Sequence, residues 1–257
     1  MYQLSVCADT VFRDLPFEER VKRIAQAGFL VEFWNWKGRN LDGLRNNPAI
    51  QVSAFTGYIG GSMVHPDGLE EFLAGVRESI PVAEKIGCCS MFLSAGQLGP
   101  LGEVRHSIAA HPVPRWVTAY KALCQIAELA EKHDLRYTLE HLNTKVEHAG
   151  FVFPKVEDVA ELVTAVGSPR IRILFDVYHT QIEEGNVIEV IRRYHPLFGH
   201  VHVADVPGRH EPGTGEINYP RIAQTFREVG YEGVIGLEAF PLNSSEEALN
   251  KFREAFA

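Results

Sequence analysis

The sequence is poor in the features that tie a chain to a membrane, an oxidising compartment or a nucleic acid. Its four cysteines, Cys7, Cys88, Cys89 and Cys124, show no C-x-x-C spacing, and two are adjacent. They read as reduced, mostly buried small hydrophobes of a cytoplasmic protein. No apolar run reaches the roughly 18–20 residues that a membrane span needs. The first residues, MYQLSVCADTVFRDL, lack the basic and apolar regions of a signal peptide. Lys and Arg number 25 against 33 Asp and Glu, without a basic run, and the net charge of −8 opposes binding to a phosphate backbone. No G-x-G-x-x-G follows the first strand-like run, which argues against a dinucleotide-binding open sheet. Neither nucleic acid nor membrane is expected as a partner; a small-molecule substrate is.

What the chain does have is alternation. FEERVKRIAQAG (17–28) places Phe17, Val21, Ile24 and Ala25 on one helical face and ends at Gly28, a natural residue just past a helix. The apolar run at 30–34 follows as a buried strand. The stretch 69–87 is again helical, with Pro81 expected to kink or divide it. The stretch 117–133 carries one apolar stripe, and later helices fall near 156–166, 187–195, 219–229 and 245–256. Strands are expected near 3–8, 30–34, 51–56, 89–94, 136–140, 171–176, 199–204 and 234–238. Eight βα units with near-continuous apolar strands, in 257 residues without a linker, predict one (β/α)8 TIM barrel domain over residues 1–257. A homo-oligomer is compatible with such a barrel, and no sequence feature fixes its symmetry.

Four strand-like runs end on an acid or an imidazole: RYTLE on Glu140, IRILFD on Asp176, GHVH on His202 and VIGLE on Glu238. The gaps are 36, 26 and 36 residues, about the length of one βα unit. The four therefore fall at the same end of successive parallel strands, the end where barrel enzymes build their sites. Three carboxylates crowded together repel unless protons or a cation neutralise them. Three oxygen donors, one imidazole and no thiolate make a hard-cation site, for Mn²⁺ or Mg²⁺ first and Co²⁺ or Zn²⁺ next.

Neighbouring residues extend the site. His179, in the turn after Asp176, is within reach of a substrate oxygen. Arg209 lies in the Gly- and Pro-bearing loop VPGRHEPGTGE (206–216), suited to a substrate carboxylate or hydroxyl. Glu147 and His148, beyond Glu140, are candidates for distal hydroxyls. Glu32 ends the second strand and faces either the pocket or a partner inside the barrel. Trp34, Trp36, Phe55 and Tyr58 form either an apolar wall or ordinary core. His200 and His202 are expected on opposite faces of their strand, leaving His202 as the ligand; His65, His106, His111, His133, His195 and His210 read as loop or surface residues. The long connections 57–68 and 95–115 are candidate lids.

At these residues the chain resembles a known family. FDVYHTQIEEGN (175–186) and HVHVADVPGRHEPGTGEINY (200–219) are similar to signature stretches of hydroxypyruvate isomerases, and AQAGFLVEFW (25–34) to their N-terminal segment. Those enzymes belong to the xylose-isomerase-like barrels, with ketose 3-epimerases and inosose dehydratases as relatives. The resemblance implies Glu140 and Glu238 as the acid/base pair. It places a divalent metal on the same two plus Asp176 and His202. Hydroxypyruvate isomerases often carry Gln where this chain has His202, and ketose 3-epimerases carry His; the loop PGRHEPGTGE follows the isomerase form.

The implied chemistry is removal of a proton from the carbon beside a carbonyl, giving an enediolate. A divalent cation acts as Lewis acid, and two carboxylates move the proton. An isomerase of a short hydroxy-oxo acid or small sugar is the leading expectation. The alternatives are a ketose 3-epimerase of the tagatose/psicose type, a metal-dependent dehydratase, or a sugar-binding barrel without turnover. A repair nuclease on the same frame needs more metal-binding histidines and a basic groove.

Overall fold

The computed structural model of the protein describes residues 2–96, 98–99, 102–105 and 112–257. Its strands are β1 Gln3–Cys7, β2 Leu30–Phe33, β3 Val52–Thr56, β4 Ser90–Leu93, β5 Arg136–Glu140, β6 Ile171–Asp176, β7 Phe198–Val203 and β8 Val234–Leu237. Each pairs in parallel with the next in chain order, and β8 returns to β1, so the sheet closes as a (β/α)8 barrel. Among the described residues the helices are α1 Phe17–Gln26, α2 Asp42–Asn46, α3 Pro66–Ile86, α4 Pro112–Lys132, α5 Val156–Val166, α6 Val177–Glu183, α7 Val187–Tyr194, α8 Tyr219–Glu228 and α9 Ser245–Ala255. No helix among the described residues is long and apolar enough to cross a membrane.

Local chemistry sets the element ends. α1 gives way at Gly28, whose φ of +83° few other residues tolerate. α3 starts on Pro66, with His65 Nδ1 accepting Asp67 N–H at 3.1 Å. The proline lacks the N–H that a first helical residue leaves unpaired anyway. Pro81 does not divide α3, which runs unbroken to Ile86; the helix is held on both sides of it by buried residues including Val76, Ile80 and Ala83.

Two interiors result. Between sheet and helices lies a continuous apolar layer, including Val6, Val31, Phe33, Phe55, Met91, Ile173, Phe175, Val201 and Phe226. A second, much smaller apolar cluster among the described residues consists of Ala54, Phe92 and Leu174. Glu32, Thr138 and His200 are fully buried as well. A polar barrel centre needs internal partners, because an unpaired buried charge is costly. Those partners lead to the site.

The connection 57–68 is not a free flap. Ser62 pairs with Gly96, Met63 N–H donates to Ala95 O at 3.1 Å, and Met63 and Val64 are buried. The connection after β4 lies partly outside the described residues, as do His106 and His111.

Candidate active site and metal centre

Glu140 and Asp176 are the last residues of β5 and β6, His202 the last but one of β7, and Glu238 the first beyond β8. In register, Asp176 sits opposite His202 and His202 opposite Gly236. The barrel brings all four together, with one ligand atom of each lying within 4.8 Å of the others. His202 Nδ1 is 3.3 Å from Glu140 Oε1 and 3.7 Å from Glu238 Oε2.

The electrostatics show what the cluster lacks. Burial raises the Glu140 carboxyl to about 7, and the nearby Glu238 and Asp176 charges push the same way. Burial likewise raises Asp176 to about 6, with Glu238 adding to it and Arg209 opposing. Burial alone would lower His202, but the carboxylates of Glu238, Glu32 and Glu140 outweigh it and hold the imidazole well above its usual range. A Glu140 carboxyl that holds its proton up to about pH 7, and an Asp176 carboxyl that holds its own up to about pH 6, mark a site short of positive charge. Three oxygens and one nitrogen converging there fit a divalent cation of the Mn²⁺ or Mg²⁺ class, held by Glu140, Asp176, His202 and Glu238.

The structure corrects the expectation that His200 and His202 face opposite ways. Residues two apart on a strand share a face, and both imidazoles turn inward onto Glu32. His200 Nε2 lies 2.9 Å from Glu32 Oε2 and His202 Nε2 3.1 Å from Glu32 Oε1. The second contact is off the line of a good hydrogen bond, so it is chiefly electrostatic. Glu32 is thus a partner inside the barrel. Burial works against its charge, but the two histidines prevail and hold the carboxyl down at about 2. With Nε2 committed to Glu32, His202 presents Nδ1 to the carboxylates. Gly236 makes the room, since a Cβ there would lie 2.3 Å from Glu32 Oε1. Phe92 packs edge-on against both imidazoles, with centroids 4.9 and 5.0 Å away.

Glu238 has different company. Trp34 Nε1–H donates to its Oε1 at 2.5 Å, and the Arg209 guanidinium bonds Oε2. Trp34 is therefore a polar partner of the site, whereas Phe55 belongs to the core, stacked on Phe33. Tyr58 bonds Ser94 Oγ and Gly96 O, and Trp36 is half-buried and packs against the core. Arg209 sits in the loop after β7 at φ +56°, closed by its N–H to Asp205 O at 3.1 Å. Buried Asp205 accepts four further N–H groups, from Val206, Gly213, Thr214 and Ile217. The guanidinium lies 5.2 Å over the Tyr178 ring and 3.9 Å from Glu147 Oε1, and Tyr178 Oη donates to that same oxygen at 2.8 Å.

His179 is not in a simple turn. Asp176 caps α6 by accepting the His179 N–H at 2.9 Å, which puts the imidazole on the first helical turn. The ring is fully buried, and burial holds its pKa well below the ordinary imidazole range, with Arg209 adding to the effect. Its Nε2 lies 3.7 Å from Asp176 Oδ2 without a hydrogen bond. His148 is buried too, its Nδ1 2.7 Å from Gly102 O. His210, expected as a loop or surface residue, lies in the loop after β7 but is half-buried, with Nδ1 2.7 Å from Phe240 O. His141, not among the candidates above, has Nε2 accepting the Asp176 N–H at 3.2 Å.

Comparison with known proteins agrees with this frame. The model for the xylose isomerase-like TIM barrel matches residues 34–255. A 2-oxo-tetronate isomerase of Pectobacterium atrosepticum is 32% identical, over 93% of this chain and 92% of its own. The hydroxypyruvate isomerase of Escherichia coli is 28% identical over 97% of each. Among solved structures, an AP endonuclease, family 2, from Brucella melitensis superposes with a TM-score of 0.88 at 26% identity, covering 99% of both chains. The chain belongs to the xylose isomerase-like TIM barrel family.

Proposed function

We propose that the protein is an isomerase of short hydroxy-oxo acids, of the kind that its hydroxypyruvate and 2-oxo-tetronate isomerase relatives act on. Glu140 and Glu238 are the groups that move the proton. The observation that carries this reading is the placement of those two carboxylates on β5 and β8, both against His202 Nδ1.

The two carboxylates differ in a way that suits opposite duties. Glu238 is pinned at both oxygens, by Trp34 and Arg209, so its position is set before substrate arrives. Glu140 has one long contact, to His202, and holds a proton up to about pH 7. A proton leaves the carbon beside the substrate carbonyl for one carboxylate, and the electron pair forms an enediolate. Return of a proton to the former carbonyl carbon, with the hydroxyl proton passing to the former carbonyl oxygen, exchanges the carbonyl and hydroxyl positions. A divalent ion, which Glu140, Asp176, His202 and Glu238 would hold, would supply Lewis-acid stabilisation of the developing oxyanion. His179 offers an imidazole to a substrate oxygen, and Arg209 and Glu147 bind the end remote from the reacting carbon. The Arg209 guanidinium suits a carboxylate, whereas the chain's −8 charge disfavours a nucleic-acid substrate for this member of the fold.

One feature favours a second reading, a ketose 3-epimerase of the tagatose/psicose type: His202 stands where those enzymes resemble this chain and many hydroxypyruvate isomerases do not. NMR in D₂O with hydroxypyruvate, 2-oxo-tetronates and a panel of ketoses separates the two. The isomerase reading predicts conversion of an oxo acid with deuterium beside the carbonyl. Label confined to C3 of a ketose identifies the epimerase. Exchange with none of them overturns both.

A further inference from the structure

Buried polar groups next to the cluster fix where the proton of His179 sits. Asn143 lies in the segment after β5 and is fully buried. Its Oδ1 accepts two backbone donors, Val146 N–H at 3.0 Å and Glu147 N–H at 3.3 Å. Backbone amides can only donate, so the orientation of the Asn143 side-chain amide is settled by chemistry. Its Nδ2 is therefore the atom 2.7 Å from His179 Nδ1 and 2.7 Å from Glu147 Oε2. The main-chain N–H of Asn143 also donates to His179 Nδ1, at 3.3 Å. A proton on Nδ1 would face two donors at once.

We infer that Asn143 is a positioning residue that holds His179 with Nδ1 bare and the proton on Nε2, so that His179 serves the reaction as a hydrogen-bond donor to a substrate oxygen. His179 Nε2 is buried, has no hydrogen-bond partner among the described residues, and lies 3.7 Å from Asp176 Oδ2 at the edge of the cluster. An N–H in that place is a ready donor for an oxygen that gains charge as the enediolate forms. In this tautomer His179 has no lone pair on the site side, so it neither takes the substrate proton nor ligates a metal there. The trio Glu147, His148 and His179, whose ligand atoms also lie within 4.8 Å of one another, is then no second metal site. The lone pair of His179 is already committed to Asn143, and Glu147 Oε2 to the same amide.

The inference rests on the proposed substrate position, but its first test does not. Protein labelled with ¹⁵N-imidazole histidine and loaded with diamagnetic Mg²⁺ is examined by two-dimensional NMR at pH 7.5, with His179 assigned by its loss in His179→Gln. The expected pattern is a protonated Nε2 and a bare Nδ1. A proton on Nδ1, or on both nitrogens, overturns the inference whatever the substrate proves to be. In Asn143→Asp the carboxylate prefers a proton on Nδ1, so the tautomer reverses or the ring becomes charged. Turnover of the best oxo acid should then fall about 100-fold or more in kcat, the effect of losing one oxyanion donor, while KM rises as well because the new carboxylate faces Glu147 Oε2, to which the amide donated. A reversed tautomer with unchanged kcat also overturns it. Should Asn143→Asp fail to fold, the wild-type spectrum still decides. A correct tautomer in a protein that turns over no oxo acid sinks the functional reading alone.

Discussion

In the half of the barrel built from β5 to β8, every strand leads into the carboxylate–imidazole cluster, through Glu140, Asp176, His202 and Glu238. In the half built from β1 to β4, the residues just beyond the strand ends are Ala8, Trp34, Gly57 and Ser94. None of those four is a metal ligand by type, yet this half is not inert. Glu32 on β2 faces His202, and Trp34 just beyond β2 bonds Glu238. The contrast teaches a division of labour. One half carries the clustered carboxylates and imidazole, and the other holds two of them, His202 through Glu32 and Glu238 through Trp34.

The largest effect should come from the reacting half. Glu140→Gln and Glu238→Gln each keep the shape of the side chain and remove its basicity, so kcat should fall by about 10²–10⁴-fold, the worth of a general acid–base group. Circular dichroism should stay unchanged, and steady-state kinetics on the best oxo acid read out the loss. Comparable activity in both variants would erase the distinction between the halves.

Next comes the orienting half. Glu32→Gln frees the imidazole of His202 and leaves His200 facing an amide. Mn²⁺ affinity measured by titration calorimetry should drop about 10–100-fold, as for other carboxylates that hold a metal-binding histidine. Gly236→Ala should weaken binding by the same route, because its Cβ would displace the Glu32 carboxylate.

Proton linkage sharpens the comparison. Glu140 and Asp176 in the folded, metal-free protein keep protons to about 7 and about 6, which the unfolded chain releases at ordinary carboxylate values. These two carboxyls thus bind more protons in the folded state between about pH 4 and 7, and their contribution to stability falls as pH rises through that window. His141, His148, His179 and His200, lowered by burial, contribute the opposite trend. His202, raised well above 6.5, acts in the same direction as the two carboxyls at higher pH. The contribution of Glu140 should appear as a fall, with rising pH, in the Tm of the metal-free wild type relative to Glu140→Gln, and Mn²⁺ should diminish it. Mn²⁺ affinity should in turn weaken below pH 7, by about tenfold per pH unit for each proton displaced. The smallest effect is expected from Trp34→Phe, which removes one hydrogen bond to Glu238 and leaves Arg209; a loss of about tenfold in kcat fits a bond to a charged acceptor.

The barrel and its reacting half are legible in the sequence because both are periodic. Eight apolar runs at βα spacing announce the strands, and an acid or imidazole closing four of them at gaps of 36, 26 and 36 residues marks one rim. The orienting half has no such signal. Glu32 reads as a strand-end acid that faces either way, and only the register of Cys7 with Glu32 and the room above Gly236 turn it inward. Strand periodicity of two does place His200 and His202 on one face, and following it from His202 leads to His200. Trp34 looks apolar until its Nε1 is seen against Glu238. Asn143 lies in an irregular segment, where no periodicity predicts a side chain's direction. Contacts between residues far apart in the chain, such as Trp34 with Glu238 and Glu32 with His200, arise from barrel closure and have no local trace.

The central claim is that the β5–β8 cluster exchanges a proton beside a carbonyl with the help of one divalent ion. The most direct measurement is a titration of Mn²⁺ into metal-free protein in D₂O with hydroxypyruvate, following deuterium incorporation in quenched, chelated samples. Exchange should rise with the first equivalent of Mn²⁺, then level, and stay at background in Asp176→Ala. Exchange that is absent throughout, or that proceeds equally without metal and in Asp176→Ala, would contradict the claim.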